Sequence, residues 1–535
     1  MSSPCEGSRM ANRRSEANPA VVSMGRLLQA RTTHRLTIAA VLLLAAALRL
    51  YRLGYHELNL DEIGQIQVAE HSLSVTVQLS AWHVASTPLD YLVTHVALLI
   101  GRDPGILRLP VALWGTLVVG AIYTFGRKVA SHWTGIIAGL ATAVLPLLVN
   151  WSRIVRFYSL PVLLFVITTI LLWYALEKGG WLRWLLYGFT LLCAVYSHYY
   201  AIILAGGQAA WLVCLCIVHR RRWDQFWSLL GLAVLVLLAF APWVYYDNLV
   251  IGIGNPSPNT VDQFRLVWPW TYEARQHTIR EFPTLVAHPF KPGGDAAWVV
   301  GSLTLAGLAA SMIAYLTKQN TLGDALVLCW AIPVVAAPII VILHYYAQYD
   351  FGARQMVFFV PFWVLAWSAL PLVVWRAVCQ GGQRAIGQVI AVSLAVASCL
   401  AVVIASLPGL GSIYLQTYGS GWNEATRYIL REVTASDLLL VEDPRAIWFY
   451  APELEPDIVA YYDKGHWSTE QARTYAQDQL ARHRAAYVIP WLTDTMDVAF
   501  KEMATQAGGT VDERCFGDVC IHRCSLSTDA SVRIE

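Results

Sequence analysis

The chain reads as an all-α polytopic membrane protein of about eleven transmembrane helices, with a small C-terminal extracytoplasmic α/β domain. Three observations predict this. First, 56% of the 535 residues are hydrophobic and only 14% are charged, against about 25% charged in a soluble globular chain. Second, the apolar residues gather in runs of roughly 20, the length that crosses a bilayer. Third, Lys and Arg collect in every second short connection, as they do on the cytoplasmic side of a membrane. The short alternating segments of a closed β-barrel are not seen. A net charge of +2 offers no field for a nucleic-acid partner.

Residues 1–35 are polar and Arg-rich, and read as a disordered cytoplasmic N-terminus. The transmembrane domain is expected at 36–407. Its spans fall at 36–48, 109–125, 133–149, 157–176, 184–200, 201–218, 226–245, 298–316, 325–344, 356–375 and 386–407. The first run is short and preceded by basic residues, a pattern shared with cleaved leaders, but its basic arm is long for one. A first outer loop, 54–108, carries an apolar patch at 91–100 that is too short to span and reads as an interfacial amphipathic helix. A second, long outer loop at 247–297 holds Pro, Gly and Trp, and long structured loops are often functional.

Residues 408–535 form the extracytoplasmic domain. Strand-like runs (437–441 and Ala486–Ile489) alternate there with helical ones (Trp422–Glu432 and Thr469–Arg482). Cys515, Cys520 and Cys524 lie in it and allow one disulfide with one thiol left over. Cys193, Cys214, Cys216, Cys329 and Cys399 sit inside apolar runs and read as packing residues.

Orientation follows from the short connections. Arg127 and Lys128, Lys178 and Arg183, Arg220 to Arg222, Lys318, and Arg376 with Arg384 all fall on one side. That side is the cytoplasm by the positive-inside rule, and an odd number of spans puts the C-terminus outside. The chain is therefore expected in an inner or plasma membrane.

The outer segments carry a different set of groups: Asp61, Glu62, Asp90, Arg153, Arg156, Tyr158, His198, Tyr199 and Arg354. Any one of these could be an interfacial anchor, but separate loops repeat the same mix on the same side. Ionisable groups beside lipid tend to mark function. A lipid-linked sugar phosphate suits this layout. A carboxylate, for which Asp61 is the candidate, would take the proton of an acceptor hydroxyl as it attacks the anomeric carbon. Arginine would grip the leaving phosphate. Glu62 is the second candidate catalytic acid, but adjacent helical residues do not share a face, so it points elsewhere. It would hold a cation, the acceptor or an Arg. A divalent metal is only weakly signalled, since two carboxylates and scattered histidines fix no ligand set.

Four motifs resemble the membrane glycosyltransferases of the GT-C fold, in the branch of protein O-mannosyltransferases, aminoarabinose–lipid A transferases and lipopolysaccharide galacturonosyltransferases. Leu48-Arg-Leu-Tyr-Arg-Leu-Gly followed by Asn59-Leu-Asp61-Glu62 resembles the first-loop acidic motif. Leu107-Arg108-Leu-Pro110 resembles the start of the second span. Arg153-Ile-Val-Arg156-Phe-Tyr158-Ser-Leu160 is similar to an Arg-x-Tyr-Ser-Leu signature. Tyr196-Ser-His198-Tyr199-Tyr200 is similar to a Tyr-Thr-His-Tyr turn. More weakly, Tyr349-Asp-Phe-Gly-Ala-Arg354 resembles an Arg-containing motif before a late span.

The resemblance implies Asp61 as the catalytic carboxylate, with Arg156 and Arg354 at the lipid-phosphate or acceptor site. It also implies a polyprenyl-phosphate sugar as donor, and a hydroxyl of a cell-envelope lipid, glycan or protein as acceptor. The chain departs from the pattern at Pro104-Gly105, where an acid is common before Arg-Leu-Pro, and at Gln355, where an aromatic is common. Asp90 stands where an aromatic is usual, and so marks acceptor choice on this reading. The competing class is a transporter or lipid flippase. It would need charges or broken helices near the bilayer midplane, and the span interiors lack acidic residues.

Overall fold

The structure is a computed structural model. It describes residues 19–81, 87–219, 223–246, 296–347, 353–415, 421–460, 468–490 and 495–526. The helices of the membrane part are α1 (Pro19–Leu50), α2 (Leu60–Ala69), α3 (Leu73–Ser80), α4 (Pro88–Ile100), α5 (Pro104–Val129), α6 (His132–Val144), α7 (Pro146–Trp151), α8 (Ser159–Lys178), α9 (Trp181–Ser197), α10 (Tyr200–His219), α11 (Trp223–Tyr245), α12 (Ala297–Leu316), α13 (Asn320–Ala347), α14 (Val360–Ser368), α15 (Leu370–Gln380) and α16 (Arg384–Leu415). Among the described residues seven segments are long and apolar enough to cross a membrane: α5, α8, α10, α11, α12, α14 with α15, and α16. The chain is a multi-pass membrane protein.

The other four expected spans fall in α1, α6 with α7, α9 and α13, which are not among these seven. The 36–48 run lies inside α1, and α9 has 17 residues. The 325–344 run lies inside α13, which contains Pro333 and Pro338. The 133–149 run is cut into α6 and α7 at Leu145, because Pro146 has no N–H to continue the ladder. The carbonyl that Pro146 leaves without its ladder donor is that of Thr142. The buried Arg49 donates to it from Nη2 (3.4 Å), and donates from Nη1 to Ala143 (3.2 Å). Gly115 lies over this repair. A Cβ there would sit 2.9 Å from Arg49 Nε and 2.3 Å from Ser152 Cβ, so the crossing admits no side chain.

One expectation needs correction. The N-terminal segment expected to be disordered to residue 35 is helical from Pro19, as the start of α1. Proline suits a first helical turn, and the Leu, Gln, Ala and Arg that follow are good helix formers. The long outer loop expected at 247–297 lies outside the described residues except for its last two.

The C-terminal part is a five-stranded sheet in the order β2-β1-β3-β5-β4. It comprises α17 (Trp422–Glu432), β1 (Leu438–Val441), α18 (Arg445–Tyr450), β2 (Ile458–Ala460), α19 (Thr469–Arg482), β3 (Ala486–Ile489), α20 (Thr495–Gln506), β4 (Thr510–Phe516) and β5 (Val519–Ser525). β1 is parallel to both β2 and β3, and β5 runs antiparallel to β3 and β4. The β4–β5 hairpin is closed by a Cys515–Cys520 disulfide, and Cys524 is a buried free thiol.

Strand alternation sends Leu438, Leu440, Ala486 and Val488 to a layer with Ala476, Leu480 and Phe500 of α19 and α20. Leu439, Val441, Tyr487 and Ile489 go to the opposite layer. There they share a core with Ile63 and Ile66 of α2, Trp422 and Ile429 of α17, and Ile447 of α18. Both faces are covered, which is why β1 and β3 read as unbroken apolar runs. The sheet therefore packs through one face onto the 54–108 segment. Polar links reinforce the contact: Gln67 Nε2 donates to the Arg445 carbonyl (3.0 Å), and Asn423 N–H donates to Glu57 Oε2 (3.3 Å).

Gly421 starts α17 at φ +70°, and a Cβ there would fall 1.9 Å from the Phe516 carbonyl oxygen. Gly421→Ala is expected to destabilise this domain by more than about 1 kcal/mol, read as a lower midpoint in thermal unfolding of the solubilised protein.

Candidate active site

α2 begins with a capping box. The Asn59 side chain accepts from Glu62 N–H (3.0 Å) and Glu62 Oε2 accepts from Asn59 N–H (3.1 Å). Glu62 is fully buried. Arg108, near the start of α5, donates to it twice: Nε to Oε1 at 2.8 Å and Nη2 to Oε2 at 2.7 Å. Val155 N–H donates to Oε1 at 2.9 Å. The remaining Arg108 donors go to the carbonyls of Leu53, His56 and Glu57. With both oxygens engaged, Glu62 is not the second catalytic acid expected above. It takes the third option left open for it, holding an arginine. It also pins Val155, one residue before Arg156.

Asp61 is half-exposed, one position round the helix from Glu62. Arg156 Nη2 lies 3.8 Å from Asp61 Oδ2, and Arg156 Nη1 lies 3.5 Å from the Asp61 carbonyl. The Arg156 side chain is only 17% exposed and its guanidinium stacks 4.6 Å over the Phe157 ring. Its Nε is buried with no partner among the described residues.

Arg153, expected to bind substrate, does something else. Its Nη1 donates to the carbonyls of Arg49 (2.7 Å), Tyr51 (2.8 Å) and Leu48 (3.4 Å), and its Nη2 donates to Arg52 (3.3 Å). These carbonyls are at or just beyond the C-terminus of α1 and have no further helical turn to accept from. A cation there also answers the negative end of the helix dipole. Tyr158 is buried against Trp151 (ring centroids 4.2 Å). Tyr199 accepts from Trp243 Nε1 at 3.1 Å, which ties the turn to α11.

His198 ends α9 at the turn into α10. It is buried among Phe157, Tyr200 and Phe358. Its Nδ1 accepts from Tyr200 N–H (3.1 Å), so the proton sits on Nε2. Burial, helped by the nearby Arg156 charge, pushes its pKa down to about 3, and the ring is a neutral donor. Asp90 lies in the first turn of α4 and is buried. Desolvation pushes its pKa up to about 8, with the Arg156 charge pulling the other way. Arg354 falls in a 3-10 turn, Ala353–Phe358, and its side chain lies outside the described residues.

The structure thus gathers Asp61, Arg156, Asp90 and His198, and engages Glu62, Arg153 and Tyr199 with partners inside the fold. Sequence reasoning passed over Gln65 and Thr94, which are joined by a 3.0 Å bond between α2 and α4. The signal was there: Gln65 is one turn after Asp61, and Thr94 one turn after Asp90. For a divalent cation, Asp61 is the one open carboxylate beside Arg156 among the described residues. The one three-residue ligand cluster found among those residues, Glu513 with Cys515 and Cys520, is occupied by the disulfide.

This architecture is the GT-C fold of the polytopic membrane glycosyltransferases. Residues 87–246 match the family dolichyl-phosphate-mannose-protein mannosyltransferase, a stretch that holds Asp90, Arg156 and His198 but not Asp61. Among solved structures, the chain is similar to ArnT from Cupriavidus metallidurans in the apo state (TM-score 0.55, 16% identity, covering 92% of this chain and 98% of that one). It is also similar to the same protein bound to undecaprenyl phosphate (TM-score 0.53, 15% identity, covering 92% and 97%). A third similar structure is the archaeal oligosaccharyltransferase AglB from Archaeoglobus fulgidus, in complex with an inhibitory peptide and a dolichol-phosphate (TM-score 0.54, 13% identity, covering 90% and 72%). No curated protein matches the chain in sequence.

The two carboxylates should separate on mutation. Glu62→Ala leaves Arg108 buried and unpaired, and is expected to cost about 3–5 kcal/mol, seen as poor recovery of folded protein by size-exclusion chromatography. Asp61→Asn is expected to fold like wild type. A Glu62→Ala protein of unchanged midpoint would contradict the buried-pair argument.

Proposed function

We propose that the chain transfers a sugar from a polyprenyl-phosphate-linked donor to a hydroxyl of an acceptor on the extracytoplasmic face. The observation that carries this is the pairing of Asp61 with Arg156. Arg108 and Arg153 have their guanidinium nitrogens turned to backbone carbonyls or to Glu62, and Arg49 gives both Nη atoms to carbonyls and leaves only Nε unpaired, whereas Arg156 faces a half-exposed carboxylate and makes a single 3.5 Å bond, to the Asp61 carbonyl. Asp61 is the candidate base and Arg156 the candidate phosphate grip, and a sugar lying between them requires the 3.8 Å pair to part.

In the proposed reaction the acceptor hydroxyl attacks the anomeric carbon from the face opposite the phosphate. Asp61 takes the hydroxyl proton. The bond from the anomeric carbon to the phosphate oxygen breaks, and its electron pair leaves with the lipid phosphate. Arg156 stabilises the charge that gathers there by charge-assisted hydrogen bonds. A single displacement inverts the anomeric centre. No step runs through a cation. His198, neutral with its proton on Nε2, supports the aromatic wall behind Arg156.

The chain's family match and its GT-C fold support a transferase of this class. ArnT with its bound undecaprenyl phosphate supports the choice of a lipid-phosphate donor. The positive-inside pattern supports a cytoplasmic N-terminus and an outer C-terminus, which places Asp61 on the outer side.

Transfer from a panel of polyprenyl-phosphate sugars, read by product mass, tests this reading. Asp61→Asn is expected to lower turnover by at least about a hundredfold. Arg156→Ala is expected to lower it by roughly two orders of magnitude. Full activity in the Asp61→Asn protein would remove the base. For topology, a cysteine replacing exposed Asp478 should react with an impermeant thiol reagent in intact cells, and one replacing exposed Lys178 should not. The reverse pattern would put the site in the cytoplasm.

A further inference from the structure

Five buried side-chain atoms around α4 have no hydrogen-bond partner among the described residues: Thr87 Oγ1, Asp90 Oδ2, Gln65 Oε1, Ser197 Oγ and Arg156 Nε. A buried polar atom left unpaired is costly, and folded proteins keep few of them. These five come from converging elements. Thr87, Asp90 and Thr94 recur at spacings of three and four, so they share one face of α4. The Gln65–Thr94 bond turns that face toward α2. α4 also packs on α9, which ends at Ser197. The Arg156 charge bears on both Asp90 and His198. Thr87 is the N-cap of α4, yet its hydroxyl makes no capping bond, although threonine in that position ordinarily does.

We propose that the Thr87–Asp90 face of α4, with Gln65 of α2, is the subsite that reads the hydroxyl groups of the donor's sugar ring. This rests on the transferase reading above. A sugar ring offers several hydroxyls, each both donor and acceptor, which is what a set of unpaired amide, hydroxyl and carboxyl oxygens requires. The donor's sugar is bonded to the phosphate that Arg156 grips, so groups beside Arg156 lie within its reach. The acceptor must instead approach Asp61 from its exposed side. Asp90 is buried, away from that approach, which argues against the acceptor role expected for it from its unusual place in the motif. Burial also favours its protonated form, which can donate to one ring oxygen and accept from another.

Equilibrium binding separates this subsite from the phosphate grip. The probes are undecaprenyl phosphate, and undecaprenyl phosphate carrying mannose, galacturonate or aminoarabinose, with full-length protein in nanodiscs. Wild type is expected to bind at least one sugar-bearing lipid about tenfold tighter than the bare lipid phosphate. Asp90→Leu and Thr87→Val should each erase most of that preference and leave affinity for undecaprenyl phosphate unchanged. Asp90→Asn, which still donates and accepts, should keep most of it. A preference that survives both Asp90→Leu and Thr87→Val overturns the subsite. So does an Asp90→Leu protein that changes only the acceptor KM. Failure of wild type to bind undecaprenyl phosphate at all would overturn the donor reading itself.

Discussion

The buried pair of Glu62 and Arg108 is the constraint on which the site depends. An uncompensated charge at that depth would be costly, so each residue needs the other and each needs its remaining hydrogen bonds satisfied. Glu62 meets this with two bonds from Arg108, one from Val155 and one from Asn59, while Arg108 adds three loop carbonyls. The result ties together the start of α5, the start of α2, the 53–57 segment and the turn that precedes Arg156. Asp61 and Arg156 inherit their spacing from these ties. Such a device positions one carboxylate by making its neighbour immobile.

Arginine is used here in two ways that look alike in a sequence. Arg49 and Arg153 are spent on helix ends: one repairs the break at Pro146, the other covers the C-terminus of α1. Away from water, an unsatisfied carbonyl is worth a guanidinium. Arg156 stands apart because its neighbours are a half-exposed carboxylate and an aromatic ring, with a single 3.5 Å bond to a carbonyl, that of Asp61.

The C-terminal sheet adds a second support. Its inner face shares a core with Ile63 and Ile66, the apolar side of α2. α2 is therefore held between a membrane bundle and a mixed sheet, with its polar side toward Arg156. A ten-residue helix has little stability of its own. Its fixed position comes from being packed on both sides.

Sequence alone determined the class and the outline of this protein. Long apolar runs, basic connections and strand-like stretches in the tail reflect bilayer thickness and side-chain periodicity, both of which are local properties. Asp61 and Arg156 could be singled out as candidates there too, because their motifs are short and contiguous. Even the capping box was written in Asn59 and Glu62. Tertiary structure decided which of several similar residues are already engaged by partners. Glu62 and Arg153 have the right types in the right places, yet their hydrogen-bonding capacity is consumed by partners 46 and about 100 positions away. It also decided that the tail packs on α2. Local pattern fixes what a side chain can do, but only the fold fixes which partners have already claimed its donors and acceptors.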